Sequence, residues 1–278
     1  MLGVLALELK PQLLFNAICK MGLFDFLKPK PVSAPEPAAT LEELVAQAAR
    51  DPAMQPEFYR RLLTEPLVVI SGPAATSAEP QARTMQPGET IEIASLNDGR
   101  VPVFTSPARI FDGGVVKEQV RYTQLKGRDL LEILAGATLV LNPYSDYGKE
   151  LLPAEVDRLL HGTLLDTGHT ITVQKQTQVL LGQPAVYPTD MVQALGRLLS
   201  QQPRVRAAYL GWLHNPASDE PPHYIICLDV EGDMRAISQQ TGYVAQQFLP
   251  PHEIVDIIQA GQNSLTDYFL TTKPFYER

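Results

Sequence analysis

The sequence predicts an α+β protein of two mixed α/β domains, the second a ferredoxin-like β-α-β-β-α-β sandwich. Three features carry this. Helical apolar spacing alternates with short apolar runs along the chain. A proline-rich stretch, Lys28 to Ala39, separates an N-terminal extension from the folded part. In the C-terminal part, the runs follow one another in the order of a split βαβ unit.

From the start, Met1 to Leu9 is apolar, but no positive charge precedes it and no small-residue cleavage site follows, so it makes a poor secretory signal. A second methionine opens Met21-Gly22-Leu23-Phe24-Asp25-Phe26-Leu27-Lys28. Either translation begins at Met21, or Leu23, Phe24, Phe26 and Leu27 form a short amphipathic turn making weak contact with a membrane surface or a partner. Phe26 stands where a myristoylation motif needs Ser or Thr. Pro29, Pro31, Pro35 and Pro37 then mark a polyproline-type tether, so residues 1–39 are extension and tether.

A first domain is expected over residues 40–166. Thr40 and Glu43 have capping-box spacing, with Leu41, Leu44, Val45 and Ala48 following at helical intervals. Pro56 opens a helix carrying Phe58, Leu62 and Leu63, and Leu67 to Ile70 reads as a strand. Ser71 to Gly88 is a loop by composition. Ile91 to Leu96 and Val101 to Thr105 flank Asp98-Gly99, which predicts a β-hairpin. Tyr122 to Leu125 is a strand, Gly127 leads into a helix with Leu130, Leu131 and Leu134, and Thr138 to Leu141 is a strand stopping at Asn142-Pro143. Pro153 starts a helix that Gly162 ends.

A second domain is expected over residues 170–278. Its strands are Val179 to Leu181, Val205 to Trp212, Tyr224 to Asp229 and Ile254 to Ile258, with helices from about Thr189 and around Met234 to Phe248. A terminal helix near Leu265 to Leu270 and the tail Lys273 to Arg278 are additions.

Composition narrows the function classes. Twenty-three basic against 31 acidic residues give a net charge of -8, which repels phosphate backbones, and the short pairs Arg60-Arg61 and Arg204/Arg206 make no basic patch; no nucleic-acid partner is expected. Two cysteines, Cys19 and Cys227, make no disulfide framework and suit a reducing, cytoplasmic compartment. Cys227 reads as a core hydrophobe. No run approaches the length of a transmembrane segment.

Candidate chemistry is sparse. Thr105 and Ser106, beside Phe104 and Pro107, offer hydroxyls either to a ligand or to the backbone where a strand stops. Asn142 before Pro143 either places an amide in a crevice at a strand's carboxyl end or starts a turn. His214 and His223 bracket a loop with Asp219 and Glu220, half of a zinc site at most, so neither a metal nor another cofactor is expected. His161 suits a helix C-terminus, Asp112-Gly113-Gly114 a loop, and Trp212 either a core or a binding hot spot. Phe275 and Tyr276, near a chain end that would otherwise fray, either dock on their own domain or meet a partner.

Read together, Val101-Pro102-Val103-Phe104-Thr105-Ser106, Leu125-x-Gly127 before Asp129-Leu130-Leu131, and Leu139-Val140-Leu141-Asn142-Pro143 before Gly148-Lys149-Glu150 resemble the N-terminal domain of the enhanced serine sensitivity protein B (SseB) family. Ala207-Ala208-Tyr209-Leu210, Tyr224 to Asp229 and Pro274-Phe275-Tyr276 resemble its C-terminal domain. The resemblance implies a bacterial protein whose level affects serine sensitivity, and it carries no catalytic residue, cofactor or substrate onto this chain. With no converging acid, base and nucleophile, the residues point to a non-enzymatic protein-interaction protein, and the serine phenotype that the resemblance implies would make its partner an enzyme of amino-acid or sulfur metabolism. The speculative contact residues are Phe104, Thr105, Ser106, Asn142, Phe275 and Tyr276. The alternative is a small-molecule, amino-acid-related binding protein or an enzyme using an interdomain cleft.

Overall fold

The computed structural model describes residues 39–72, 92–166, 178–218, 220–261 and 265–278. The Met1/Met21 extension with Leu23, Phe24, Phe26 and Leu27, the tether, Cys19, most of the Ser71 to Gly88 loop, Ile91 and Asp219 lie outside them. Residues Ala39–Arg278 form one compact unit.

Helix α1 (Leu41–Ala48) begins with the expected capping box, Thr40 and Glu43 each satisfying the other's backbone N–H. Its apolar stripe Leu41, Leu44, Val45 and Ala48 is buried. Asp51 caps a single 3₁₀ turn, Pro52–Met54, and α2 (Gln55–Thr64) follows with Phe58, Tyr59 and Leu62 inside. Strand β1 (Pro66–Ile70) pairs antiparallel with β3 (Tyr122–Lys126), which runs directly into α3 (Gly127–Ile133). A three-stranded sheet of β2 (Val101–Val103), β4 (Leu139–Leu141) and β5 (Lys149–Leu151) adjoins this pair through reciprocal backbone bonds between Val68 and Phe104, and α4 (Pro153–Leu160) closes the half.

The hairpin expected around Asp98-Gly99 is only a turn. Gly99 takes φ +84° and Leu96 N–H donates to the Arg100 carbonyl at 2.8 Å, but Ile93 makes only an isolated bridge to Ser71. Val101–Val103 instead pairs in parallel with Leu139–Leu141. All three residues of β2 are buried, and a strand covered on both faces suits parallel pairing across a crossover, here through α3. Strand β5 escaped the sequence because Lys149-Glu150-Leu151 offers no apolar run; it is held by its ladder to β4.

The C-terminal half keeps the expected succession: β6 (Leu180–Gly182), α5 (Thr189–Ser200), β7 (Val205–His214), β8 (His223–Val230), α6 (Arg235–Gln246) and β9 (Val255–Gln259), then α7 (Thr266–Leu270) and β10 (Tyr276–Glu277). Its strand order, however, is not ferredoxin-like. A split βαβ inserts a strand between the two that a helix connects, whereas β8 and β9, joined by α6, pair directly and in parallel. Strand β6 pairs antiparallel with Trp212 to His214 of β7, and β10 takes Ala207 and Ala208 on that strand. A three-residue β6 and a two-residue β10 together fill the β7 edge that the predicted order had left for another neighbour. Succession alone did not determine pairing.

Two main cores result, one under α1, α2, α3 and α4, the other between α5, α6 and the β7–β8–β9 sheet. The fully buried Ala53 belongs to the second although it comes from the N-terminal half, and Met54 and Tyr243 pack against both. Cys227 is buried, and burial pushes its thiol up to about 11, as suits a core residue. Among the described residues, no helix is long and apolar enough to cross a membrane.

Candidate functional site

Because β2 and β4 lie side by side in parallel, their carboxyl ends bring Phe104-Thr105-Ser106 and Asn142-Pro143 to one place. Such strand ends are where open α/β sheets commonly hold ligands. Asn142 has φ +48° and is only 3% exposed; asparagine is among the few residues that take this left-handed conformation routinely. Its Oδ1 accepts the Thr105 N–H at 2.9 Å, its Nδ2 donates to Thr105 Oγ1 at 3.0 Å, and its own N–H donates to the Val103 carbonyl at 2.7 Å. The side chain thus ties the two strand ends together. Gly148 lets the returning chain pass close: a Cβ there would lie 2.6 Å from the Leu141 carbonyl oxygen.

A chain of charges lies beside this knot. Ser106 Oγ donates to Glu42 Oε1 at 2.6 Å, and Arg109 Nη2 donates to Glu42 Oε2 at 2.8 Å. Arg109 Nη1 donates to Asp112 Oδ2 at 3.0 Å, and Ser145 Oγ donates to the same oxygen. The bond from Arg109, aided by Ser106, holds Glu42 below the usual carboxylate range. Ser145 and then Arg109 do the same for Asp112, and both carboxylates raise the pKa of Arg109. Glu42, Arg109, Asp112, Asn142, Tyr144 and Tyr147 line a hollow of about 400 Å³. Tyr147 (37% exposed) is on its wall and Phe111 (41% exposed) sits beside Asp112; the Arg50 guanidinium lies over the Tyr147 ring, 4.6 Å from its centroid.

Of the predicted contact residues, Thr105, Ser106 and Asn142 meet here, with Thr105 and Ser106 half-buried. Phe104 does not reach the surface: it is fully buried against Val68, Ile110 and Tyr144, so it supports the site from beneath. Phe275 and Tyr276 lie elsewhere, half-buried on the C-terminal core, where the Phe275 N–H donates to the Ala208 carbonyl at 2.9 Å. His223 is held between the Pro221 carbonyl at 3.0 Å and Asp256 Oδ2 at 3.1 Å, and Trp212 packs edge-on against Tyr224. His161 ends its helix, its Nδ1 2.8 Å from the Asp157 carbonyl. Arg60, Arg61 and Arg206 are each paired with a glutamate. Glu42, Arg109 and Ser145 were not singled out from sequence, and Asp112 was read as a loop residue. They come from three separate segments, around residues 42, 109–112 and 145; only the acidic first turn of α1 hinted at Glu42.

A larger hollow, about 720 Å³, opens where α1, α2 and α4 face α6. Its walls include Phe58, Tyr59, Lys149, Glu155, Arg158 and Tyr243. Tyr59 OH donates to Glu155 Oε1 at 2.7 Å, Lys149 Nζ approaches the same oxygen at 3.0 Å, and Tyr243 OH donates to Gln55 Oε1 at 2.9 Å. Burial and the Glu155 bond raise the Tyr59 phenol pKa, keeping it a donor.

Residues 41–158 match the family model described as the SseB protein N-terminal domain, and residues 173–278 match that of the SseB protein C-terminal domain. The chain is 30% identical over 249 residues to Protein SseB of Escherichia coli (strain K12), covering 86% of this chain and 92% of that protein. The same figures hold for Protein SseB of Shigella flexneri. No solved structure matches significantly.

Proposed function

Since the chain belongs to the SseB family, we propose that it is a non-enzymatic, cytoplasmic protein-interaction protein that recognises its partner at the carboxyl ends of β2 and β4. The observation that carries this reading is the closed pairing of Glu42, Arg109, Asp112, Ser106 and Ser145. A general base works best when its proton affinity is raised toward neutrality, and both carboxylates here are shifted the other way. Groups that bond one another fix a shape, and a fixed shape beside the half-exposed aromatics Phe111 and Tyr147 suits recognition. In this reading the partner is an enzyme of amino-acid or sulfur metabolism, through which the protein's level would affect serine sensitivity. Thr105, Ser106 and Asn142 hold the contact face, and Phe104 backs it.

The test is site-specific photocrosslinking in native cells with the probe at Phe111, against a control probe at Leu270 on α7. A single reproducible adduct at Phe111 that Y147A removes is the expected result. Identical adduct patterns from the two positions would overturn the assignment.

A further inference from the structure

The cleft between α1, α2, α4 and α6 holds opposite charges side by side on an apolar wall. Glu155 and Arg158 are one helical turn apart on α4, so they share a face, and Lys149 reaches Glu155 from β5 at 3.0 Å. Glu155 Oε1 takes both the Tyr59 hydroxyl and the Lys149 ammonium, which leaves Oε2 without a protein donor among the described residues. Lys149 uses one of its three N–H donors there, with its ammonium 5.8 Å from the Tyr59 ring centroid. Arg158 spends Nη2 on the Thr163 and Leu164 carbonyls, each at 3.2 Å, and keeps the rest of its fork. Leu152, 54% exposed, supplies apolar surface in the same hollow, over the buried Phe58 and Leu164.

We propose that this cleft binds a compact zwitterion: an ammonium and a carboxylate carried on an apolar body. An anion alone would face Glu155, and a cation alone would face Lys149 and Arg158. A molecule with both charges gives the ammonium the free oxygen of Glu155 and the carboxylate the spare donors of Lys149 and Arg158. Its apolar part then covers the wall at Leu152. Recovering partners for charges already drawn partly out of water is what makes such a match favourable. A volume of about 720 Å³ lies within the range of small-molecule sites. The inference rests on this cleft and is independent of the partner-binding face at β2 and β4.

The test uses the full chain, with leucine and phenylalanine as probes, beside leucinamide, which lacks the carboxylate, and N-acetyl-leucine, which lacks the ammonium. Titration calorimetry and amide chemical shifts are the readouts. The expected result is saturable binding of at least one amino acid, about tenfold or more weaker binding of both analogues, and shift changes centred on Tyr59, Lys149 and Glu155. E155Q should weaken binding by about the same factor; if its circular dichroism shows it unfolded, K149M and the analogue comparison on the native chain decide. Absence of saturable binding up to about 10 mM, equal binding of an analogue, or shift changes away from the cleft would each overturn it.

Discussion

Asp51 and Arg197, 146 residues apart in sequence, clamp the two halves of the fold together: Arg197 Nε donates to Asp51 Oδ2 at 2.6 Å and Nη2 to Oδ1 at 3.1 Å. The same carboxylate caps the 3₁₀ turn through the Ala53 N–H at 3.1 Å. That turn is what seats Ala53 in the C-terminal core. One residue therefore fixes both a local turn and a long-range junction.

Substituting D51A removes cap and clamp together, and a cost of about 1–2 kcal/mol is expected in urea unfolding. R197M removes only the clamp and should cost less, about 0.5–1 kcal/mol, because the arginine is half exposed and solvent screens the pair. The pH dependence has a definite sign. Burial alone would raise the Asp51 pKa, but the Arg197 bonds and the Ala53 N–H outweigh it and the net shift is downward. A carboxylate depressed by folding contributes stability above its unfolded pKa and loses it as pH falls through the folded value. Native protein should thus lose stability below about pH 4 more steeply than D51N, whose side chain does not titrate. Equal acid limbs for the two would contradict the clamp.

The charged chain at the candidate site makes a second prediction. R109M leaves Glu42 and Asp112 without their shared cation, so both carboxyl pKa values should climb back toward the ordinary range. Carboxyl-carbon NMR titration reads this directly. Because Glu42 and Asp112 keep their bonds from Ser106 and Ser145, the rise should be partial, and S145A on top of R109M should raise Asp112 further while leaving Glu42 unchanged. A Glu42 curve that moves with S145A would show that the two ends are not separated as described.

How far the sequence carried is explained by range. Helix positions were legible because capping and apolar spacing act within a few residues: the Thr40–Glu43 capping box, the buried stripe Leu41, Leu44, Val45 and Ala48, and the helix that Pro153 starts all appear where the sequence placed them. Pairing was not legible, because a parallel ladder such as Val101–Val103 on Leu139–Leu141 is decided by burial across a crossover, and Asp98-Gly99 makes its turn whether or not its flanks pair. Thr105, Ser106 and Asn142 were visible as strand-end polar residues. Arg109 was not, since nothing local marks an arginine that will bridge Glu42 and Asp112.

The tail offers a third prediction. Phe275 packs partly on the C-terminal core, Tyr276 pairs with Ala208 and the Arg278 N–H reaches the Arg206 carbonyl at 2.9 Å. Removing residues 273–278 should lower the melting temperature and increase binding of an apolar dye, since one end of the β7 edge and the Phe275 seat are uncovered. F275A alone should cost about 1–2 kcal/mol, below the range for a fully buried phenylalanine because the ring is only half covered. An unchanged melting temperature after truncation would mean that the strand adds nothing to the fold.

Asn142 allows backbone conformation and side-chain bonding to be separated. Its φ of +48° disfavours most residues, and its amide holds the Thr105 N–H and hydroxyl. N142G keeps the conformation accessible but loses the amide, and the unpaired Thr105 N–H should cost about 1–3 kcal/mol. N142A loses the amide and adds the left-handed strain, so it should lie a further 1 kcal/mol or so below N142G. Chemical denaturation should therefore rank native above N142G, and N142G above N142A. If N142A instead proves as stable as N142G, the left-handed backbone at the strand end is not what asparagine is needed for, and the amide bonds to Thr105 account for the whole effect.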